Sequence, residues 1–310
     1  MPIVQGGMGV GVSLAGLASA VANQGGVGVI SSAGLGAIYN NYSKDYRAAS
    51  IWGLKEEIRK AREATKGIIG VNVMVAMSNF ADMVKTAIAE KADIIFSGAG
   101  LPLNLPSFLT EDAKTKLAPI VSSARAAKVL CQKWFSEYKY IPDAIVVEGP
   151  KAGGHLGYKA DQIADEHYSL EAIVPQIVAE VRAFEAEHNC RIPVIAGGGI
   201  YTGEDIYRIM ALGADGVQMG TRFVTTDECD ADPAFKQSYI EAHEEDIEII
   251  QSPVGMPGRA IRNSFLDRVK EGLKVPKACP FDCIKTCDVT HSPYCIMLAL
   301  YNAFRGRLEN

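Results

Sequence analysis

An eightfold recurrence limits what this chain can become. Short runs rich in valine and isoleucine, most ending in glycine or a polar residue, return at 2–8 ("PIVQGGM"), 26–34, 67–75 ("GIIGVNVMV"), 93–100, 117–123, 143–149 ("DAIVVEG"), 192–199 ("IPVIAGGG") and 215–224 ("DGVQMGTRFV"). Between them lie segments of helical period, such as "SLEAIVPQIVAEVRAFEAEH", where Ile173, Ile177, Val181 and Phe184 recur every three or four residues on one face. This alternation marks parallel strands joined by helical crossovers. Eight such units predict an α/β fold, a closed TIM (β/α)8 barrel. A doubly wound open sheet needs fewer units and is the structural rival; the full count and the glycine-rich strand ends favour closure.

After Val224 the pattern breaks. Residues 225–310 hold a polar connection, the segment "YIEAHEEDIEII" that reads as an acidic helix, a Pro/Gly loop "SPVGMPGRA" and a cysteine-rich stretch. The expected division is therefore a barrel over 1–224 and a mostly helical C-terminal extension over 225–310 packing on its catalytic face. A hydrophobic content of 48% suffices for a sizeable core and excludes a disordered chain. The net charge of −5, from 31 basic and 36 acidic residues, comes without a basic stripe and argues against nucleic acid. No apolar run approaches the roughly 20 residues that cross a bilayer, and the start "MPIVQGGMGV" lacks a basic n-region. The reading is a cytoplasmic protein acting on small molecules, its oligomeric state open, a homodimer included.

In such a barrel the chemistry sits where strands end, often with a phosphate held after the seventh and eighth strands. Gly197, Gly198 and Gly199 follow the seventh run and precede Thr202, a cap for the helix "TGEDIYRIMALG", so backbone N–H groups and a helix N-terminus can converge on an anion. Gly220 and Thr221 of "QMGTR" follow the eighth, and "QGGMG" at Gln5 to Gly9 offers a flat backbone surface. A single GGG is more often just a turn; two adjacent glycine-ended strands point to a phosphorylated planar cofactor, above all FMN. Of five histidines, His167, His188, His243 and His291 read as solvated residues of polar helices or the tail. His155, after "AGG" at the end of the sixth run, should face the barrel mouth, where an imidazole of pKa about 6.5 suits proton transfer; the plainer alternative is a bond to a loop carbonyl.

The motifs "PIVQGGMG", "GVNVMV", "KAGGHLGY", "IPVIAGGGI" and "GADGVQMGTRF", in this order over 2–224, resemble the nitronate monooxygenase family, formerly 2-nitropropane dioxygenase, whose near relatives include the FMN-dependent enoyl-ACP reductase II. The resemblance implies FMN held by Gly6, Gly7 and Met8 against its ring, by Asn72 at its polar edge, and by Glu148 and Gly153 on the sixth strand. It places the phosphate on Gly198, Gly199, Gly220 and Thr221, with Gln218 and Met219 nearby. It makes His155 the catalytic residue, a base for the α-proton of a nitroalkane or a partner that orients the nitronate, with oxygen as oxidant. The runner-up is an NAD(P)H-dependent flavin reductase of the enoyl-ACP reductase II type, and a third reading is a flavin- or phosphate-binding sensor without turnover. Three departures stand out: Lys151 where relatives commonly carry an acidic residue, a longer segment "CQKWFSEYKYIPDA" before the sixth strand, and a start directly on the first strand, which suggests a missing leader.

Three of the seven cysteines, Cys131, Cys190 and Cys229, are scattered singly and read as buried thiols. Cys279, Cys283, Cys287 and Cys295 form C-x3-C-x3-C-x7-C. On a helix over 279–287 the first three would stack at i, i+4 and i+8, and Cys295 could close a four-sulfur set for zinc or an iron–sulfur cluster. The spacing is familiar for neither. The favoured reading is therefore reduced or redox-active thiols packing under "CIMLALYNAF", with metal as the alternative.

Overall fold

The computed structural model describes residues 2–310. Its strands are β1 (Ile3–Gln5), β2 (Val27–Ser31), β3 (Ile68–Met74), β4 (Ile94–Gly98), β5 (Lys116–Val121), β6 (Ile145–Glu148), β7 (Gly154–His155), β8 (Val194–Gly197), β9 (Gly216–Met219), β10 (Ile247–Gln251) and β11 (Pro257–Ile261). Its helices are α1 (Ala15–Asn23), α2 (Leu35–Ile38), α3 (Tyr46–Ala64), α4 (Phe80–Ala89), α5 (Ala124–Tyr138), α6 (Leu170–His188), α7 (Gly203–Ala211), α8 (Thr221–Val224), α9 (Pro233–Glu241), α10 (Ser264–Lys270) and α11 (Ile296–Phe304). Strands β1 to β6, β8 and β9 pair in that order, and β9 returns to β1 in parallel through Ile3↔Val217, Val4↔Gln218 and Gln5↔Met219. That last pairing closes the barrel and removes the open-sheet rival.

The two faces of each strand explain the runs of valine and isoleucine. Val4, Val29, Phe96, Ala118 and Val146 fill the barrel interior as one buried cluster. Their alternating neighbours Ile30, Ile95, Ile145 and Val147 turn outward into a second cluster with Leu54, Ile58, Met83, Trp134 and Ile177 of the surrounding helices. A strand buried on both faces cannot afford polar alternation, and each fully buried side chain of this size contributes about 1.5–3 kcal/mol. The helices start where the sequence provides a cap: Asp45 for α3, Ser123 for α5, Ser169 for α6 and Thr202 for α7 each accept a backbone N–H. Ile173, Ile177, Val181 and Phe184 of α6 are all buried, as their spacing required. Among the described residues no helix is long and apolar enough to cross a membrane.

The extension carries helices α9, α10 and α11, and also a hairpin. "YIEAHEEDIEII" is not an acidic helix: α9 stops at Glu241, Glu244–Asp246 makes one 3-10 turn, and Ile247–Gln251 is β10. Three adjacent like charges repel within a helix, whereas the β-branched Ile247, Ile249 and Ile250 fit a pleated strand. β10 pairs antiparallel with β11, and β11 with β7 through Gly258↔His155 and Arg259↔Gly154. The eighth run likewise ends as a strand at Met219, with residues 221–224 turning into α8. Residues 279–287 form no helix, so the i, i+4, i+8 stacking of thiols does not occur. Pro280 and the left-handed φ of 42° at Asp282 oppose it. His188 is not solvated either, since its ring lies 4.2 Å from those of both Phe135 and Phe184.

Candidate active site

The C-terminal ends of the strands open into a cavity of about 1440 Å³. His155 and every residue expected to hold the cofactor lie in its wall, together with residues of the extension such as Ser252, Arg259, Phe265 and Tyr294. On one side, β8 ends in Gly198 and Gly199 at φ of 110° and 82°, a left-handed backbone that side-chain-bearing residues resist. A Cβ at Gly198 would lie 3.0 Å from the Gly149 carbonyl oxygen and 3.1 Å from the Ala152 nitrogen. The loop after β8 therefore packs on the loop after β6 with no room for a side chain. Among the described residues, the N–H groups of Gly198, Gly199, Gly220 and Thr221 have no protein acceptor. Four unspent donors converging from two adjacent strand ends suit a phosphate. At the start of α7, Thr202 Oγ1 accepts from the Asp205 N–H in a capping box, and the N–H groups of Thr202 and Tyr201, both donating to Asp205 Oδ2, hold that carboxyl down to about 2.

Polar side chains that no protein group satisfies stand on the same strand ends, Glu148 and Gln218 both pairing in register with Gly197. The half-buried Asn72 and Gln218 amides line the wall without a protein hydrogen-bond partner among the described residues. Gly7 packs so closely on Asn72 that a Cβ there would lie 2.3 Å from the Asn72 Cβ, which fixes where that amide stands. Glu148, at the end of β6, is pushed up to about 7 by burial alone, with no cation beside it. Tyr158 donates its hydroxyl to the Glu148 main-chain oxygen at 2.6 Å and braces that strand end. Polar groups beside bare amides in a cavity wall are completed by a ligand with matching donors, acceptors and an anionic end. A flavin mononucleotide has those features, and these residues fit it.

His155 sits seven residues beyond β6, held there by the extension. β7 pairs with β11, Leu156 N–H donates to the Pro257 oxygen at 2.9 Å, and Arg259 donates to the Pro150 and Ala152 oxygens at 3.0 and 3.2 Å. His155 Nε2 hydrogen-bonds Ser252 Oγ at 2.7 Å, and the buried Ser252 in turn hydrogen-bonds the buried Tyr294 hydroxyl. Burial lowers the His155 pKa, which keeps the ring neutral at pH 7. Nδ1 has no protein partner among the described residues. Ser252, Arg259 and Tyr294 were absent from the sequence reading, because "SPVGMPGRA" reads only as a loop and Tyr294 lies in the cysteine-rich stretch that follows it. Lys151, the noted departure, is exposed, and its stem packs over Gly199, where a Cβ would lie 3.0 Å away from the lysine's own Cβ. Of the four tail thiols, Cys283 reaches the cavity wall.

The chain is similar to several known proteins. The model of the nitronate monooxygenase family matches residues 1–90 and 78–292. An octahydro-indene-carboxyl-CoA dehydrogenase from Mycobacterium tuberculosis is 29% identical over 88% of this chain, which spans 66% of that protein. A probable nitronate monooxygenase from Staphylococcus aureus is 27% identical over 87% of this chain and 78% of its own length. Among solved structures, FabK from Thermotoga maritima superposes with a TM-score of 0.67 at 29% identity, covering 87% of this chain and 74% of that one. The nitroalkane oxidase of Streptomyces ansochromogenes, at 23% identity, shares the fold with a TM-score of 0.72 over 100% of this chain and 87% of its own. With the family model spanning barrel and extension alike, the chain belongs to the nitronate monooxygenase family and is a flavin-dependent oxidoreductase.

Proposed function

We propose that the protein binds FMN and oxidises alkyl nitronates and nitroalkanes with oxygen, His155 acting as the base. The observation that carries the reading is the imidazole in the cavity wall, kept neutral by burial and tied at one nitrogen to Ser252. Gly198, Gly199, Gly220 and Thr221 would hold the phosphate, Gly6, Gly7 and Met8 the ring face, and Asn72, Gln218 and Glu148 the polar edge. Bound there, the flavin would supply electron transfer between substrate and oxygen.

The chain's own part is the proton. A neutral nitroalkane gives its α-proton to Nδ1 of His155, and the ring then carries a charge. Nε2–H donates to Ser252 Oγ, whose hydroxyl proton turns toward Tyr294, so the imidazolium meets an oxygen acceptor rather than a bare apolar wall. Arg259 and β11 hold the loop that carries the ring, so the base keeps its place relative to the strand ends. His155→Asn tests this: the yellow protein should keep its flavin and its rate with preformed nitronate while losing at least 100-fold in kcat/KM with neutral nitroalkane. Equal rates with both substrates remove the assigned role.

A second reading, NAD(P)H-dependent reduction of an acyl thioester, draws on the size of the cavity. At about 1440 Å³ it exceeds the 300–1,000 Å³ usual for a small ligand, and Phe265, Leu266, Ile296 and Leu300 give its extension side an apolar lining. The M. tuberculosis relative named for a CoA ester and the similarity to FabK point the same way. Rapid flavin bleaching by NADH or NADPH, with no reaction on nitronate, would select it.

A further inference from the structure

The amides of Gly198, Gly199, Gly220 and Thr221, which find no protein acceptor among the described residues, are neutral donors. A phosphate monoester carries a charge of about −1.5 to −2 at pH 7. Such donors hold its oxygens and leave the charge to be balanced by a cation of the chain or by salt. With a net charge of −5, the chain as a whole offers no general positive field. Arg222, next to Thr221, is turned aside: its guanidinium lies 4.8 Å over the ring of Tyr201, in a separate groove with Ile3, Ile206 and Phe223. In the cavity wall Arg259 is engaged by the Pro150 and Ala152 oxygens, and Arg262 by Asp267 at 3.1 Å.

The local fold delivers a different cation to the glycines. Residues Gly149 to Ala152 form a β-turn, closed by the Ala152 N–H donating to the Gly149 oxygen at 3.1 Å. Pro150, whose ring presets φ, stands second in it and Lys151 third. The turn is fixed from both sides, since Gly149 N–H donates to the Gly197 oxygen at 2.8 Å and Arg259 holds the carbonyls before and after Lys151. From this turn the lysine stem runs over Gly199, where a Cβ would meet Lys151 Cβ at 3.0 Å and Cδ at 3.2 Å. The ammonium that follows Cδ and Cε is within reach of an anion on the Gly199 amide. It has neither a hydrogen bond nor an ion pair among the described residues, and Glu148 is the one carboxylate among the described residues of the wall.

We propose that Lys151 clamps the flavin phosphate, its ammonium supplying the charge that the glycine amides lack, and so makes the site select a phosphorylated flavin over a dephosphorylated one. The inference rests on the FMN reading above and adds to it a side chain at the position where relatives commonly carry an acid. The test is equilibrium binding of FMN and of riboflavin, followed by flavin fluorescence, to the full chain freed of its flavin and shown by circular dichroism to remain folded. Lys151→Met keeps a stem over Gly199 and removes the charge, whereas Lys151→Arg keeps the charge. The wild type should bind FMN more tightly than riboflavin, a preference that shrinks as salt is raised. In Lys151→Met the Kd for FMN should rise about tenfold and that for riboflavin stay within about twofold, with a weaker salt dependence; Lys151→Arg should stay near the wild type. Equal loss of both flavins in Lys151→Met would mean that the stem only packs the loop, and an unchanged Kd for FMN would mean that solvent ions balance the phosphate. Either result overturns the clamp and leaves the FMN reading intact. A wild-type chain that takes up neither flavin overturns the FMN reading, and the clamp with it.

Discussion

Gly198 and Ser252 show two ways in which one residue serves this site. At Gly198 the left-handed φ and the carbonyl of Gly149 exclude any side chain. Gly198→Ala should therefore strain the loop by about 1–2 kcal/mol and lower flavin content at least tenfold, read from the absorbance of the purified protein. Ser252 acts through His155. With the ring's pKa depressed by burial, kcat/KM for a neutral nitroalkane should hold above about pH 6.5 and, below the lowered pKa, fall about tenfold per pH unit. Ser252→Ala removes an oxygen that accepts from the imidazolium, so this acid limb should move to lower pH and kcat should fall with flavin affinity unchanged. A pH profile that keeps its position in the variant would reduce Ser252 to packing. The glycines were legible in the sequence because they end two consecutive strands of the eight, where a lone GGG would have read as a turn; Ser252 was not, because a serine in a Pro/Gly loop has many uses.

At the scale of elements, the barrel and its extension are tied by polar contacts between distant segments. α1 begins without a local cap, and Asp230, more than 200 positions away, accepts from the N–H groups of Leu14, Gly16 and Leu17 at 2.7, 3.1 and 3.1 Å. Its burial raises the carboxyl's pKa, an effect that those three N–H groups partly offset. Asp230→Ala should cost about 1–2 kcal/mol, seen as a lower urea midpoint with unchanged m-value; a wild-type midpoint would mean that water caps α1 equally well. Periodicity revealed the eight strand–helix units, since a strand and its helix are neighbours in sequence. It missed β10 and β11, whose partner β7 lies about 100 residues upstream.

For the whole molecule, the cavity makes stability depend on its contents. In flavin-free protein the Glu148 pKa is raised from 4.5 to about 7, so between those values the folded chain binds more protons than the unfolded one. Its contribution, of order 1–3 kcal/mol, is complete below pH 4.5 and lost as pH rises through 7. Thermal midpoints of the flavin-free protein should thus decline from pH 5 to 8, and Glu148→Gln should flatten the decline; the same slope in the variant would place the cause elsewhere. The amino-acid order alone determined the barrel, its open end and the glycines that leave amides bare there, because hydrophobic period and absent side chains act between chain neighbours. Tertiary structure alone decided that Ser252 meets His155 across 97 positions, that a hairpin of the extension aims the histidine, and that Glu148 lies far from any countercharge. Those outcomes depend on which remote surfaces the closed barrel brings together, and burial and through-space charge leave no mark in a local pattern.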